Sequence, residues 1–409
     1  MGEMRVLQIN SVCGIASTGR IATDIDDVLK KLGHESYIGY GRALPRGCDN
    51  AIKIGNKLDT FIHVLETRLF DKHGFGSKNA TKKFIRKVDT LGPDVIHLHN
   101  LHGYYINIEL LFQYLEKENM PVVWTLHDCW AFTGHCSHFD FINCDKWKKG
   151  CSICPQKNAY PSSLGVDNSK NNYEQKKKIF TGIKKMSIVT PSLWLAQLVK
   201  ESFLKDYPVR VISNGIDLNV FKPTKSIFRE KYHLNNKFII LGVANVFSEK
   251  KGLQRFIDLS KHLRPDEVIV LVGLTEAQRR NLPNNIIGLG RTNSTQKLVE
   301  VYSAADVFIN LTLEEVFGLV NIEALACGTP VITFNTGGSG ESIAEGCGFV
   351  VKKDCLDELM KKKEIIKGKG KLYFSQHCIN HVTEHFNKKD RYLDYVKMYR
   401  EMLEQKVEE

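Results

Sequence analysis

Apolar positions along this chain gather into short runs separated by longer stretches with helical spacing. In the first half the runs are MRVLQIN (4–10), DVIHLHN (94–100), VVWTLHD (122–128) and SIVTPS (187–192). In the second they are FIILGVA (238–244), VIVLVGL (268–274), NIIGLGR (285–291), DVFINLT (306–312) and PVITFN (330–335). Many are apolar on both alternations, which predicts strands buried between helix layers rather than strands with one wet face. Strands alternating with helices from end to end predict α/β architecture with parallel sheets. Each half opens alike, with a strand running into a loop of small residues, QINSVCGIASTGR and later GVANVFSEKKG. Two nucleotide-binding-type units in tandem are therefore expected.

The expected division places residues 1–208 in the first unit and 209–387 in the second, because DYPVRVISNGIDLNVFKP joins a Pro-bounded strand to an Asn-Gly turn. A charged, amphipathic stretch, 388–409, ends the chain. It either packs back on the first unit or frays.

Composition narrows the class. With 409 residues, 43% hydrophobic and 25% charged, the chain can bury real cores. The start, MGEMRVLQINS, lacks a signal-peptide pattern, and no apolar run nears the roughly 18 residues that span a bilayer. A cytoplasmic chain is expected. A net charge of +11 points to anionic partners: nucleic acid, acidic lipid or phosphorylated small molecules. The lysine tracts at 176–178, 361–363 and 367–371 contain no interleaved aromatics, so they read as solvated surface and not as a nucleic-acid site. Peripheral contact with an anionic inner membrane stays open.

The chemistry concentrates in INLTLEEVFGLVNIEALACGTPVITFNTGGSGESI, 309–343. A strand ends near Leu311, an acidic loop follows, and a helix is expected from about Val316–Gly318 to Ala326. A helix N-terminus at the end of a parallel strand offers free N–H groups to a diphosphate. Glu315 in the loop and Glu323 two turns into the helix suit hydroxyls, because a carboxylate accepts several hydrogen bonds from a diol. Lys250 and Lys251 supply cations at the turn after Val246. Carboxylates for hydroxyls and lysines for a diphosphate describe a nucleotide sugar, although taken by itself a paired Glu on a helix is more often plain surface charge.

Glu315-x7-Glu323 within EVFGLVNIEALACGTPVI, followed by TGG-x-x-E ending at Glu341, resembles the donor-site signature of retaining glycosyltransferases of family four, which have the GT-B fold. The likeness continues through RVLQINS, VIHLHN, WTLHD, SNGIDLNVF, SEKKG and YSAADVFIN in order, and is nearest to bacterial exopolysaccharide and capsule enzymes of the colanic-acid type. It implies two Rossmann-like domains facing across a cleft, with an acceptor domain first and a donor domain second. It also implies roles: Glu323 on the donor ribose, Glu315 on the transferred sugar, Lys251 on the diphosphate and His127 facing the donor sugar, with Asp128 orienting its loop. Gly14, Phe317, Gly318 and Leu319 fall where backbone approaches the phosphates. Asn245 stands where many members carry arginine, so Lys250 or Arg291 is expected to replace that cation. His97 and His99 share one strand face and, with His102, are expected to pack by hydrogen bonds near the acceptor.

The resemblance further implies retention of anomeric configuration, no metal required for catalysis, a nucleotide-diphosphate-sugar donor, and an oligosaccharide or polyprenyl-diphosphate-linked acceptor. Rival readings are a sugar-nucleotide epimerase or a phosphorylase on the same architecture, and a zinc-stapled nucleic-acid-binding protein. The last arises from Cys136, Cys144, Cys151 and Cys154, spaced C-x7-C-x6-C-x2-C in an insertion at 129–155. Only the second half has zinc-ligand spacing, leaving structural zinc, free thiols and disulfides all open.

Overall fold

The computed structural model describes residues 2–292 and 294–404; the expected terminal stretch therefore extends beyond the described residues at 405–409. Two compact units emerge, one running to Ser213 and resuming at Tyr392, the other spanning Asn214–Arg391.

In the first unit, β1 (Arg5–Asn10), β2 (Glu35–Tyr40), β3 (Ala51–Lys53), β4 (Val95–Leu98), β5 (Val122–Thr125), β6 (Met186–Thr190) and β7 (Val209–Val211) form one sheet. Its order is β3-β2-β1-β4-β5-β6-β7, and every pair is parallel. The second unit holds β8 (Phe238–Val243), β9 (Glu267–Val272), β10 (Ile286–Leu289), β11 (Val307–Asn310), β12 (Val331–Phe334) and β13 (Gly348–Val351). Their order, β10-β9-β8-β11-β12-β13, is again all parallel. Central strands such as β4, β5, β9 and β11 are buried at every position, as their two-sided apolar runs require.

Several expectations need correction. β7 pairs with β6, Ile188 opposite Val209, so the first unit passes the expected division at 208. β2, β3 and β13 were not expected: ESYIGY is diluted by Ser, Glu and Gly, and AIK and GFVV are too short to carry a pattern. The lysine tracts are not all solvated. Lys176 is 1% exposed, donates to the carbonyls of Trp130 (2.8 Å) and Thr133 (3.2 Å), and lies 3.4 Å over the Trp130 ring. Lys363 is wholly buried against Glu267 at 2.7 Å. A long aliphatic stem lets a lysine enter a core when carbonyls or a carboxylate receive its head.

The final helix, Lys388–Glu404, supplies Tyr392, Tyr395, Val396, Met398 and Tyr399 to the cluster that also holds Val6, Ile25, Val95 and Val123. Those aromatic residues seal the first sheet. Elsewhere, the helix Lys57–Phe70 leaves its apolar stripe outward: Leu58, Phe61, Ile62, Leu65 and Leu69 are each at least 45% exposed. Leu164 and Val166, tied by backbone bonds to Arg68 and Leu69, extend that stripe.

Candidate active site

In a doubly wound sheet, ligands enter beyond the strand C-termini where the strand order reverses. In the second unit that point lies between β8 and β11. The loops leaving these strands are stitched together, Leu313 N–H donating to the Lys250 carbonyl at 2.8 Å. Two ion pairs cross the same seam. Lys251 Nζ meets Glu315 Oε2 at 2.8 Å, and Lys250 Nζ meets Glu314 Oε2 at 2.8 Å.

The helix expected near Val316–Gly318 begins one residue later, as Leu319–Ala326, with Gly318 at its N-cap. Gly318 has φ 83°, a left-handed conformation that turns the acidic loop into the helix without a side-chain cap. Asn321 N–H turns back to the Gly318 carbonyl at 2.9 Å, which leaves the helix start to offer the Leu319 and Val320 amides to an anion. Phe317 is buried and packs edge-on to Phe386. Glu323, the helix's fifth residue and so just over one turn in, accepts from Tyr302 Oη at 2.9 Å. Beneath the loop runs a buried polar network: Asn310 Nδ2 donates to Asn321 Oδ1 (2.9 Å), and Asn321 Nδ2 to the Ser339 carbonyl (2.9 Å). It anchors the TGG segment, where Gly338 N–H holds the Glu315 carbonyl at 3.1 Å.

The first unit reverses between β1 and β4. Beyond β5, His127 and Asp128 border a small recess with His99, His102 and Trp130. His99 Nδ1 lies 3.1 Å from His127 Nε2, and the two rings are nearly parallel at 13°. Burial pushes His127 down to about 4, partly offset by Asp128. Burial would raise Asp128, yet His102 at 2.7 Å and the Trp130 amide hold its carboxyl down to about 2. His97 is fully buried between Thr125 Oγ1 and Tyr399 Oη, each at 2.7 Å. Gly14 has φ 67°, and a Cβ there would meet the Arg46 carbonyl at 2.0 Å, so the chain itself fills that space. A separate cavity of about 640 Å³, lined by Glu66, Lys72, Glu109 and Gln175 among others, includes none of these residues.

Cys136, Cys144, Cys151 and Cys154 line one small cavity with His135 and Trp147. All eleven cysteines are thiols. Gly134 N–H donates to Cys151 Sγ at 3.2 Å, and His135 Nδ1 pairs with the buried Asp71 at 2.6 Å. Among the described residues, no group of three His, Cys, Asp or Glu side chains stands in metal-holding geometry.

Two family models match the chain in tandem: "Glycosyltransferase Family 4" over residues 19–220 and "Glycosyl transferases group 1" over 224–369. Together the two models cover most of the chain, which belongs to the glycosyltransferases they describe. It is 24% identical over 389 residues to the "Putative colanic acid biosynthesis glycosyl transferase WcaC" of Escherichia coli, covering 88% of this chain and 90% of that one. A second Escherichia coli relative, "UDP-Gal:alpha-D-GlcNAc-diphosphoundecaprenol alpha-1,3-galactosyltransferase", is 28% identical over 48% of this chain and 57% of its own. The crystal structure of Anabaena Alr3699/HepE in complex with UDP shares the fold, at TM-score 0.67 and 15% identity over 97% of this chain and 100% of that one.

This glycosyltransferase brings together Lys250, Lys251, Gly318, Leu319 and Glu315 at one seam, with Glu323 on the adjoining helix. Arg291 is not among them. It follows the edge strand β10, which β9 separates from β8, and it is exposed. Sequence reasoning missed Glu314, Asn310, Asn321 and Tyr302. Asn310 and Asn321 had a legible signal, each being a lone amide inside an apolar run, VFIN and LVNIEALA.

Proposed function

We propose that the enzyme moves a hexose, with retention of anomeric configuration, from a nucleotide-diphosphate sugar to a hydroxyl of a growing, lipid-linked surface polysaccharide. The observation that carries this reading is the Lys251–Glu315 pair at the β8/β11 seam, with the Leu319 helix start and Glu323 beside it. Lys251 and the helix amides take the diphosphate, Glu323 the ribose and Glu315 the sugar hydroxyls. On the first unit, His127 serves the donor sugar.

As the anomeric C–O bond to phosphate breaks, negative charge grows on the leaving diphosphate. Lys251 and the helix N-terminus neutralise it without a required metal. The acceptor hydroxyl attacks from the same face, and its proton passes to the departing phosphate oxygen. The UDP complex of the Anabaena structure and the diphosphoundecaprenol named for the galactosyltransferase support a nucleotide donor and a lipid-linked acceptor.

A lipid-linked acceptor places the enzyme at the cytoplasmic face of the inner membrane. No helix among the described residues is long and apolar enough to cross a bilayer. The exposed stripe of Lys57–Phe70 suits shallow insertion instead, and exposed Lys57, Lys72, Lys82 and Lys83 suit anionic headgroups. For the four cysteines we favour a structural zinc, which has to draw the thiols inward from their places around the cavity.

Thermal stabilisation by a panel of nucleotide sugars, UDP-sugars first, tests the central reading. A ligand that stabilises the wild type should fail with Glu323→Ala, and the product linkage, read by NMR, should keep the donor's anomeric configuration. No stabilisation by any member, with no transfer detected, would end the proposal.

A further inference from the structure

Gln8 is a polar residue inside the apolar strand RVLQIN, and it is fully buried. Its Nε2 donates to the Ala22 carbonyl at 2.9 Å. That bond fixes the amide's orientation, because the flipped form would set one carbonyl oxygen against another. Oε1 therefore faces His99 Nε2, 3.1 Å away. An amide oxygen only accepts, so His99 Nε2 carries the hydrogen. Burial holds the His99 ring well below its ordinary titration range and hence neutral. Its Nδ1 is then bare and can only accept.

Facing that bare nitrogen at 3.1 Å is His127 Nε2, which must be the donor. The His127 ring is neutral too, since burial brings it down to about 4. With its single hydrogen committed to His99, Nδ1 is left as an acceptor, and it makes no hydrogen bond among the described residues. The alternative tautomer sets two lone pairs against each other across this part-buried contact, at the cost of a hydrogen bond.

Resting on the reading that His127 serves the donor sugar, we propose that Gln8 and His99 are positioning residues that lock His127 as its Nε2–H tautomer, so that it meets the sugar with an acceptor nitrogen. The group it recognises is a hydroxyl that donates. A donor sugar with a deoxy carbon or a methyl ether at that position leaves Nδ1 without a partner and is discriminated against.

Long-range ¹H–¹⁵N spectra of the full chain labelled with ¹⁵N-histidine report the tautomer of each ring; the His127 signals are those lost in His127→Gln. The expected spectrum shows His127 protonated at Nε2 and bare at Nδ1. Protonation at Nδ1, or an even mixture, overturns the relay whether or not sugar is transferred. Gln8→Leu should release a mixture at His99 and His127. It should also lower kcat/KM for the nucleotide sugar about tenfold, the weight of one hydrogen bond. Thermal stabilisation by UDP alone should stay as in the wild type. An unchanged kcat/KM in Gln8→Leu also overturns the relay. Should that variant fail to fold, the wild-type spectrum still decides. A locked Nε2–H tautomer in a protein that turns over no nucleotide sugar leaves the hydrogen-bond chain standing and removes the glycosyl-transfer reading instead.

Discussion

Lys251 Nζ stands 2.8 Å from Glu315 Oε2, across the seam between the loops that leave β8 and β11. The cation proposed for the diphosphate is thus compensated by the carboxylate proposed for the sugar. Donor binding has to exchange one partner for another. Glu315→Gln should free Lys251 and tighten UDP binding a fewfold, while transfer falls by about tenfold or more as a charge-assisted contact to the sugar is lost. Calorimetry with UDP and a transfer assay separate the two effects. Weaker UDP binding together with slower transfer would mean that Glu315 orders the phosphate loop instead.

Acid should destabilise the fold before it protonates the carboxylates. Burial, the leading cause in each case, lowers His63, His73, His97, His99 and His127. Between each lowered value and the ordinary value near 6.5, the unfolded chain binds more protons than the folded one. Stability therefore rises with pH across that window and is lost as pH falls below about 6.5, at about 1.4 kcal/mol per ring per pH unit. His135, raised against burial by Asp71, opposes the trend. Melting temperatures measured from pH 8 to 5 should drop steeply below 6.5, and a flat profile would show that these rings take up protons in place.

Tyr399→Phe removes the hydroxyl 2.7 Å from His97 Nδ1 and leaves that buried nitrogen unpaired. The expected loss is about 1–3 kcal/mol by urea denaturation. Removing the chain from Lys388 onward strips five buried side chains from the first core and should yield insoluble protein. A soluble, cooperatively folded truncation would show that the helix merely decorates the sheet.

Phe61→Ser combined with Leu65→Ser should cut cosedimentation with phosphatidylglycerol vesicles by about tenfold or more, given the apolar area each ring or branch could bury. Transfer to a water-soluble acceptor should be unchanged. Equal vesicle binding by wild type and variant would assign the stripe to something other than lipid.

Metal analysis of freshly purified protein should find about one zinc per chain, lost in Cys151→Ser and in Cys154→Ser and kept in Cys327→Ser, whose thiol is buried far along the sequence. Wild-type protein without zinc would return the four cysteines to plain thiols.

The frame of the fold was legible because buried parallel strands write a two-sided apolar run, as in VIVLVGL and DVFIN. β3 and β13 were not, since edge strands of three and four residues draw their stability from a neighbour and not from a pattern of their own. At the candidate site the spacing of Glu315 and Glu323 was visible, but their partners were not. Lys251 is 64 residues from Glu315, and no local rule couples a turn lysine to a loop acid at that separation. Lys176 shows the opposite failure: its tract reads as surface, and only the placement of the Trp130 ring and two carbonyls explains why its first lysine is inside.

The return of Tyr392–Tyr399 to the first core has a consequence for biosynthesis. The first sheet is translated early, but the aromatic residues that seal it lie beyond the whole of the second unit, Asn214–Arg391. At roughly 5–20 residues per second, a ribosome needs on the order of 10–35 s to reach them. Through that interval the face formed by Val6, Ile25 and Val95 is open on the nascent chain. The first unit thus becomes a natural client for a chaperone that shields apolar surface until synthesis is almost complete.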